Sequence, residues 1–131
     1  MRSFQLSTRD RDEFVDITAQ VRQIVVESGV QRGVCLIACP HTTAGIAVQE
    51  GYDPDVARDM LVALSRLFPR EGDYRHAEGN SDAHLKSAFV GSSQMLPIEN
   101  NALQLGRWQA VFFCEFDGPR QRTVRVQILN S

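Results

Sequence analysis

Apolar residues recur along this chain at two spacings, and each predicts a different element. SFQLST alternates closely enough for an edge strand. In DITAQVRQIVVESG the apolar Ile17, Val21, Ile24 and Val25 fall at helical spacing, with Asp16 or Thr18 as cap and Gly29 as stop. The continuous apolar run from Gly33 through VCLIAC has strand length and is ended by Pro40. A polar turn, HTTAG, then leads into IAVQE, a strand expected beside the preceding one in the same sheet.

The clearest helix follows. Asp53 is its N-cap, Pro54 takes the first helical position and Asp55 adds negative charge to the first turn. Val56, Met60, Ala63, Leu64, Leu67 and Phe68 form its apolar stripe, and Pro69 ends it. From Arg70 to Ser87 the pattern lapses. REGDYRHAEGNSDAHLKS is rich in Gly, Asp, Asn, His and Ser and reads as a long polar loop, of the kind that is usually functional or disordered. The remainder is strand-rich: SSQMLPIE, ALQLGRWQAVFFCEF and RTVRVQIL, with turns at Asn100-Asn101 and Asp117-Gly118-Pro119. In the last strand Val124, Val126 and Ile128 face one way, and Thr123, Arg125 and Gln127 the other. The order β-α-β-β-α-loop-β-β-β predicts a mainly antiparallel α+β domain with two main helices. The C-terminal half lacks the regular alternation of a doubly wound fold.

Composition narrows the classes. The 131 residues fit one domain over 1–131, and 43% hydrophobic with 23% charged residues excludes disorder, collagen and coiled coil. A net charge of −2 gives no overall basic balance for nucleic acid. No apolar run approaches the roughly 18 residues of a membrane span, and the Met1 end lacks a signal-peptide core. A cytoplasmic protein is the expectation. The odd count of three cysteines fits reduced thiols. Cys35 and Cys39, on one strand about 13 Å apart, are too far for a disulfide. With Cys114 they read as small core residues. Thirteen arginines accompany one lysine, Lys86, which falls in the densest polar stretch.

Several side chains carry possible chemistry. His41, His76 and His84 each sit in a polar, turn-rich stretch. Three imidazoles without a core role suit a zinc site with one open position. Glu50, Glu78 and Asp82 would be further ligands or partners of the histidines. The spacings match no standard zinc pattern, so surface or substrate-binding roles stand beside the metal. EGNSDAHLK puts Glu78, Asn80, Ser81, Asp82, His84 and Lys86 within nine residues. Backbone N–H groups near Gly79 together with Lys86 would hold an anion, and a solvated capping loop is the plain alternative. FDGPRQR adds Asp117, Arg120 and Arg122; Arg120 would bind phosphate in a fork, or simply flank a turn. No GxSxG elbow, Walker loop, GxGxxG or CxxC occurs, and Trp108 reads as core rather than as a stacking platform.

In order, HTTAGIAVQE, GYDPDVARD, YRHAEGNSDAHLKS and LPIENNALQLGRWQAVFFCEFDGPR resemble the YjbQ family, also called secondary thiamine-phosphate synthases, from about residue 4 to 128. The resemblance implies a small α+β protein with a β-sandwich core that assembles as a homotrimer. It also implies an activity joining a pyrimidine diphosphate to a thiazole phosphate, with release of diphosphate. By position it carries over polar motif residues that include His41, Thr42, Thr43, Glu50, Asp53, Asp55 and His76. It likewise carries over Glu78, Asn80, Ser81, Asp82, His84, Lys86, Asp117 and Arg120. Gln49 departs from the asparagine common in relatives and keeps the amide.

Three expectations follow. The first is a transferase in which Lys86 and Arg120 neutralise diphosphate while Glu50 and Asp82 hold a bridging magnesium, with Thr42, Thr43, Asn80 and Ser81 on the substrate. The second is a metal-dependent hydrolase or metal- and metabolite-binding trimer with zinc on His41, His76 and His84. The third is a non-catalytic structural trimer. In the enzymatic readings the partner is a small phosphorylated substrate, with no nucleic acid or membrane, and the site is completed at a subunit interface.

Overall fold

The computed structural model describes residues 1–131. In chain order it contains β1 (Arg2–Ser7), β2 (Glu13–Asp16), α1 (Thr18–Ser28), β3 (Arg32–Ala38), β4 (Ala44–Glu50) and α2 (Pro54–Leu67). There follow α3 (Ser81–Val90), β5 (Ser93–Glu99), β6 (Ala102–Leu103), β7 (Gln109–Glu115) and β8 (Gln121–Asn130). A five-stranded sheet has the order β1-β8-β3-β5-β6 and a three-stranded sheet the order β2-β7-β4. Every neighbouring pair is antiparallel. The chain is therefore α+β with mainly antiparallel sheets, as the pattern predicts. No helix is long and apolar enough to cross a membrane.

The two sheets face each other. Cys35 and Ile37 from β3, Ala44 and Ile46 from β4, Val111 and Phe113 from β7, and Val124 and Val126 from β8 fill the space between them. Val21, Ile24 and Val25 of α1 join the same core. Thus β3 and β4, expected side by side, lie in different sheets. Their apolar faces meet across the core, and the HTTAG connection turns the corner between layers. On the opposite face of β7, Ala110, Phe112 and Cys114 pack with Leu64 of α2 and Ala83 of α3. Strand β7 is thus covered on both faces, which is why AVFFC is an unbroken apolar run.

Helix α2 follows its sequence signals. Asp53 Oδ1 accepts from the Asp55 N–H at 2.9 Å, Pro54 opens the helix, and Arg66 lies in its last turn. Its apolar stripe is only partly covered: Leu64 is buried, but Leu67 is 62% exposed.

Helix α3 corrects the reading of Arg70–Ser87 as loop throughout, and makes three helices instead of two. Its buried positions are Asp82, Ala83, Lys86 and Ser87, while Leu85 and Phe89 are 41% and 66% exposed. The helix is inverted, polar inward and apolar outward, so a search for an apolar stripe passes over it. Trp108, expected in the core, is 51% exposed. Tyr52 meets it edge-on at 5.1 Å, and the Arg107 guanidinium stands 4.9 Å above its ring.

Candidate functional site

Three connections converge at one end of the sandwich: the turn after β3, the segment entering α3 and the hairpin between β7 and β8. They enclose an open polar depression of about 410 Å³ lined by His41, Thr42, Thr43, Glu78, Asn80, His84, Asp117, Arg120 and Arg122, with no apolar side chain beyond Pro40.

Local sequence explains the placement. Gly79 takes φ +78°, a left-handed turn that side-chain-bearing residues avoid, and delivers the chain to α3. Asn80, at the N-cap, makes no side-chain cap bond. It donates instead through Nδ2 to Asp117 Oδ2 at 2.9 Å, which leaves its Oδ1 buried without a partner. Arg120 donates to the same carboxylate oxygen at 3.2 Å and to the Asp117 carbonyl at 2.9 Å. One carboxylate thus ties the entry of α3 to the hairpin.

Residues 8–12 strap these pieces together. Thr8 N–H donates to the Arg120 carbonyl at 2.9 Å, and Gly118 N–H to the Arg11 carbonyl at 3.0 Å. A Cβ on Gly118 would lie 2.3 Å from the Asp10 carbonyl oxygen, so only glycine fits there. Beneath the hairpin, Arg122 Nε donates to Glu115 Oε1 at 2.8 Å, and its Nη2 bonds Glu115 Oε2. Thr8 Oγ1 donates to Glu115 Oε1 at 2.8 Å, and the N–H groups of Phe116 and Asp117 each reach Oε2 at 3.0 Å. Burial raises the Glu115 pKa, but these donors outweigh it and hold the carboxyl below its usual range.

A second ionic cluster lies under α3. Arg11 forks onto Asp82 at 2.9 and 3.0 Å. Lys86 Nζ donates to Asp12 at 2.7 Å, Asp82 at 3.1 Å and Ser65 at 3.4 Å. Burial opposes ionisation of Asp82, yet the bonds from Arg11 and Lys86 prevail and hold its pKa at about 2. Asp82 is sealed and Lys86 is 2% exposed, with partners for its ammonium. Both therefore brace α3 from behind instead of facing the depression.

The other predicted residues divide clearly. Thr42, Thr43, Asn80, Arg120, His41 and His84 line the depression. His76 and Ser81 stand beside it, sharing an adjoining hollow with His84. Glu50 lies elsewhere, in an acidic groove with Asp10, Asp12, Glu13 and Asp53, where its carboxylate accepts from Tyr52 N–H at 2.8 Å. Sequence reasoning passed over Thr8, Arg11, Asp12 and Glu115. The alternation of β8, with Arg122 on the same face as Val124, marks the one buried arginine.

Burial, followed by the neighbouring Arg122 charge, lowers the His41 pKa and keeps its imidazole neutral. Its Nε2 accepts from the Thr123 N–H at 3.0 Å, so the ring proton resides on Nδ1. His76 and His84 meet edge to face at 5.3 Å, and His76 lies 3.7 Å from Glu78. No three histidine, cysteine or carboxylate side chains converge on one point in the single chain. The cysteines are buried and unpaired. Burial pushes the Cys35 thiol up to about 11 and raises Cys39 and Cys114 too, which removes them as nucleophiles at neutral pH.

The fold and site together define a small antiparallel α+β protein with one polar depression at the end of its sandwich. The family described as UPF0047 protein YjbQ-like matches residues 2–131, and the chain belongs to that family. It is 48% identical to the UPF0047 protein YugU of Bacillus subtilis over 130 residues, 98% of each chain. It is 47% identical over 128 residues to the UPF0047 protein MJ1081 of Methanocaldococcus jannaschii, covering 98% of this chain and 93% of that one. Among solved structures, a YjbQ/UPF0047 family protein of Clostridium acetobutylicum superposes with a TM-score of 0.97 at 53% identity, covering 98% of this chain and 100% of the other. A hypothetical protein of Aeropyrum pernix gives 0.94 at 32% identity, with 99% and 98% covered.

Proposed function

We propose that the depression binds the phosphate groups of a small metabolite, and that the protein is a thiamine-phosphate-synthase-type transferase. The observation that carries this reading is the lining itself. Hydroxyl, imidazole, amide and guanidinium groups meet in one open hollow without an apolar wall. Of its two carboxylates, Asp117 is already bonded to Asn80 and Arg120 while Glu78 is exposed at the rim, which leaves donors for oxyanions. In the reaction the bond from the pyrimidine methylene to diphosphate oxygen breaks, and its electron pair leaves with diphosphate. The thiazole nitrogen supplies the pair for the new C–N bond. Arg120 neutralises the leaving charge, and the rim carboxylate of Glu78 faces the transient cation. Asp82 and Lys86 serve by fixing α3.

Two heteroaromatic rings need walls that one chain lacks, and a homotrimer supplies them. Strand β3 is apolar on both faces like β7, but its outward Val34 and Leu36, beside Met95 and Leu129, have no covering layer from this chain. Leu85 and Phe89 of α3 form a second uncovered patch. A cyclic trimer joins two different patches, and the second patch begins beside His84. The test is diphosphate release by purified protein given both substrates. Turnover should fall about 100-fold in Arg120→Ala; no release by the wild-type chain defeats the reading.

A metal-dependent hydrolase is the second reading, favoured by the grouping of His76, His84 and Glu78. Stoichiometric zinc in elemental analysis supports it. Metal-free protein that depends on added magnesium supports the transferase.

A further inference from the structure

Arg122 combines near-complete burial with an unspent donor. Its side chain is 2% exposed. Nε and Nη2 are committed to Glu115, and Nη2 also reaches Thr43 Oγ1 at 2.9 Å and the Thr43 carbonyl at 3.2 Å. Nη1 has no hydrogen-bond partner within the chain. It is also not sealed, because Asn80 Oδ1 is the only unpartnered side-chain N or O atom that is fully buried. Arg122 is one of the residues lining the depression, and Nη1 is the guanidinium nitrogen that its internal bonds leave uncommitted.

Thr43 repeats the arrangement. It is 6% exposed, and its hydroxyl oxygen accepts from Arg122. The hydroxyl proton has no acceptor in the chain and is free for one in the depression. Two donors are thus fixed side by side before any ligand arrives, which spares the ordering cost that a flexible surface arginine carries. Pairing with Glu115 needs only Nε and Nη2, so internal salt bridging leaves Nη1 unexplained. The other cation, Arg120, is 50% exposed and already bound to Asp117. Of the carboxylates lining the hollow, Asp117 is occupied by Asn80 and Arg120, and Glu78 is 75% exposed at the rim.

The geometry points to Arg122 Nη1 and the Thr43 hydroxyl as the oxyanion anchor of the depression, holding phosphoryl oxygens of a phosphorylated small molecule, with Glu115 as the residue that positions the guanidinium. This rests on the phosphate reading of the site and moves the anchor from the exposed arginine to the buried one. The inner phosphoryl group then lies beside neutral His41, and Arg120 meets charge nearer the mouth.

The test is calorimetric titration of the full chain with inorganic diphosphate at fixed protomer concentration, with folding checked by circular dichroism. Thr43→Val and Arg122→Lys should each weaken binding about tenfold or more, Thr43→Ser should restore it, and Arg120→Gln should weaken it less. If Arg122→Lys does not fold, the Thr43 pair decides. Binding unaffected by Thr43→Val but lost in Arg120→Gln overturns the anchor and leaves the phosphate reading standing. No binding by wild-type protein overturns both.

Discussion

Replacing Asp82 with asparagine removes one charge from the sealed cluster under α3 while keeping the shape of the side chain. Burial raises the Asp82 pKa, but the fork from Arg11 at 2.9 and 3.0 Å and the bond from Lys86 at 3.1 Å bring it to about 2, against an ordinary value of 3.8. A carboxyl depressed in the folded state contributes stability above its unfolded value and loses it as pH falls through the folded value. The contribution is therefore present at pH 5 and largely gone by pH 2. At 1.36 kcal/mol per unit it amounts to about 2 kcal/mol. The side chain is 0% exposed, so solvent screening takes little from this figure. The assay is urea unfolding of wild type and Asp82→Asn at both pH values and one protomer concentration. The stability gap between them should narrow by about 2 kcal/mol on acidification, roughly 1 M in urea midpoint. Glu27 and Glu115 are also held low, but both chains retain them and their titrations cancel in the difference. A gap that stays constant between the two pH values refutes the ionised cluster.

Gly118→Ala should lower stability by about 1–3 kcal/mol in a thermal melt, because the new Cβ meets the Asp10 carbonyl oxygen at 2.3 Å and the strap must move. If the proposed trimer forms through the outward sheet face, Met95→Lys should give smaller species than wild type by light scattering; an unchanged mass removes that face from the proposed interface. The His41 imidazole, disfavoured as a cation by burial and by Arg122, should titrate below 6.5 in an NMR pH series, and a midpoint at or above that value contradicts its placement.

The strands and α2 were legible because their apolar spacing and caps agree with the packing they make. Helix α3 was not, since its buried stripe is Asp82, Ala83, Lys86 and Ser87. A sharper signal was present in its two i,i+4 pairs, Asp82 with Lys86 and Leu85 with Phe89. The assignment of β3 and β4 to one sheet failed because a short polar turn serves equally as a hairpin or as a corner between layers. The site was partly legible. His41, Thr42, Asn80, His84 and Arg120 do meet, whereas Lys86 looked like a free cation because its partners Asp12 and Asp82 are brought to it only by the fold. Glu50 looked catalytic beside its motif but caps a turn on another surface.

A crystal structure of the full chain grown with inorganic diphosphate tests the assignment of the depression most directly. The expected result is diphosphate oxygens within hydrogen-bond distance of Arg122 Nη1 and Thr43 Oγ1, with Arg120 closing over the outer phosphate. Diphosphate ordered only elsewhere on the molecule, with solvent in the depression and Arg120 still on Asp117, contradicts it.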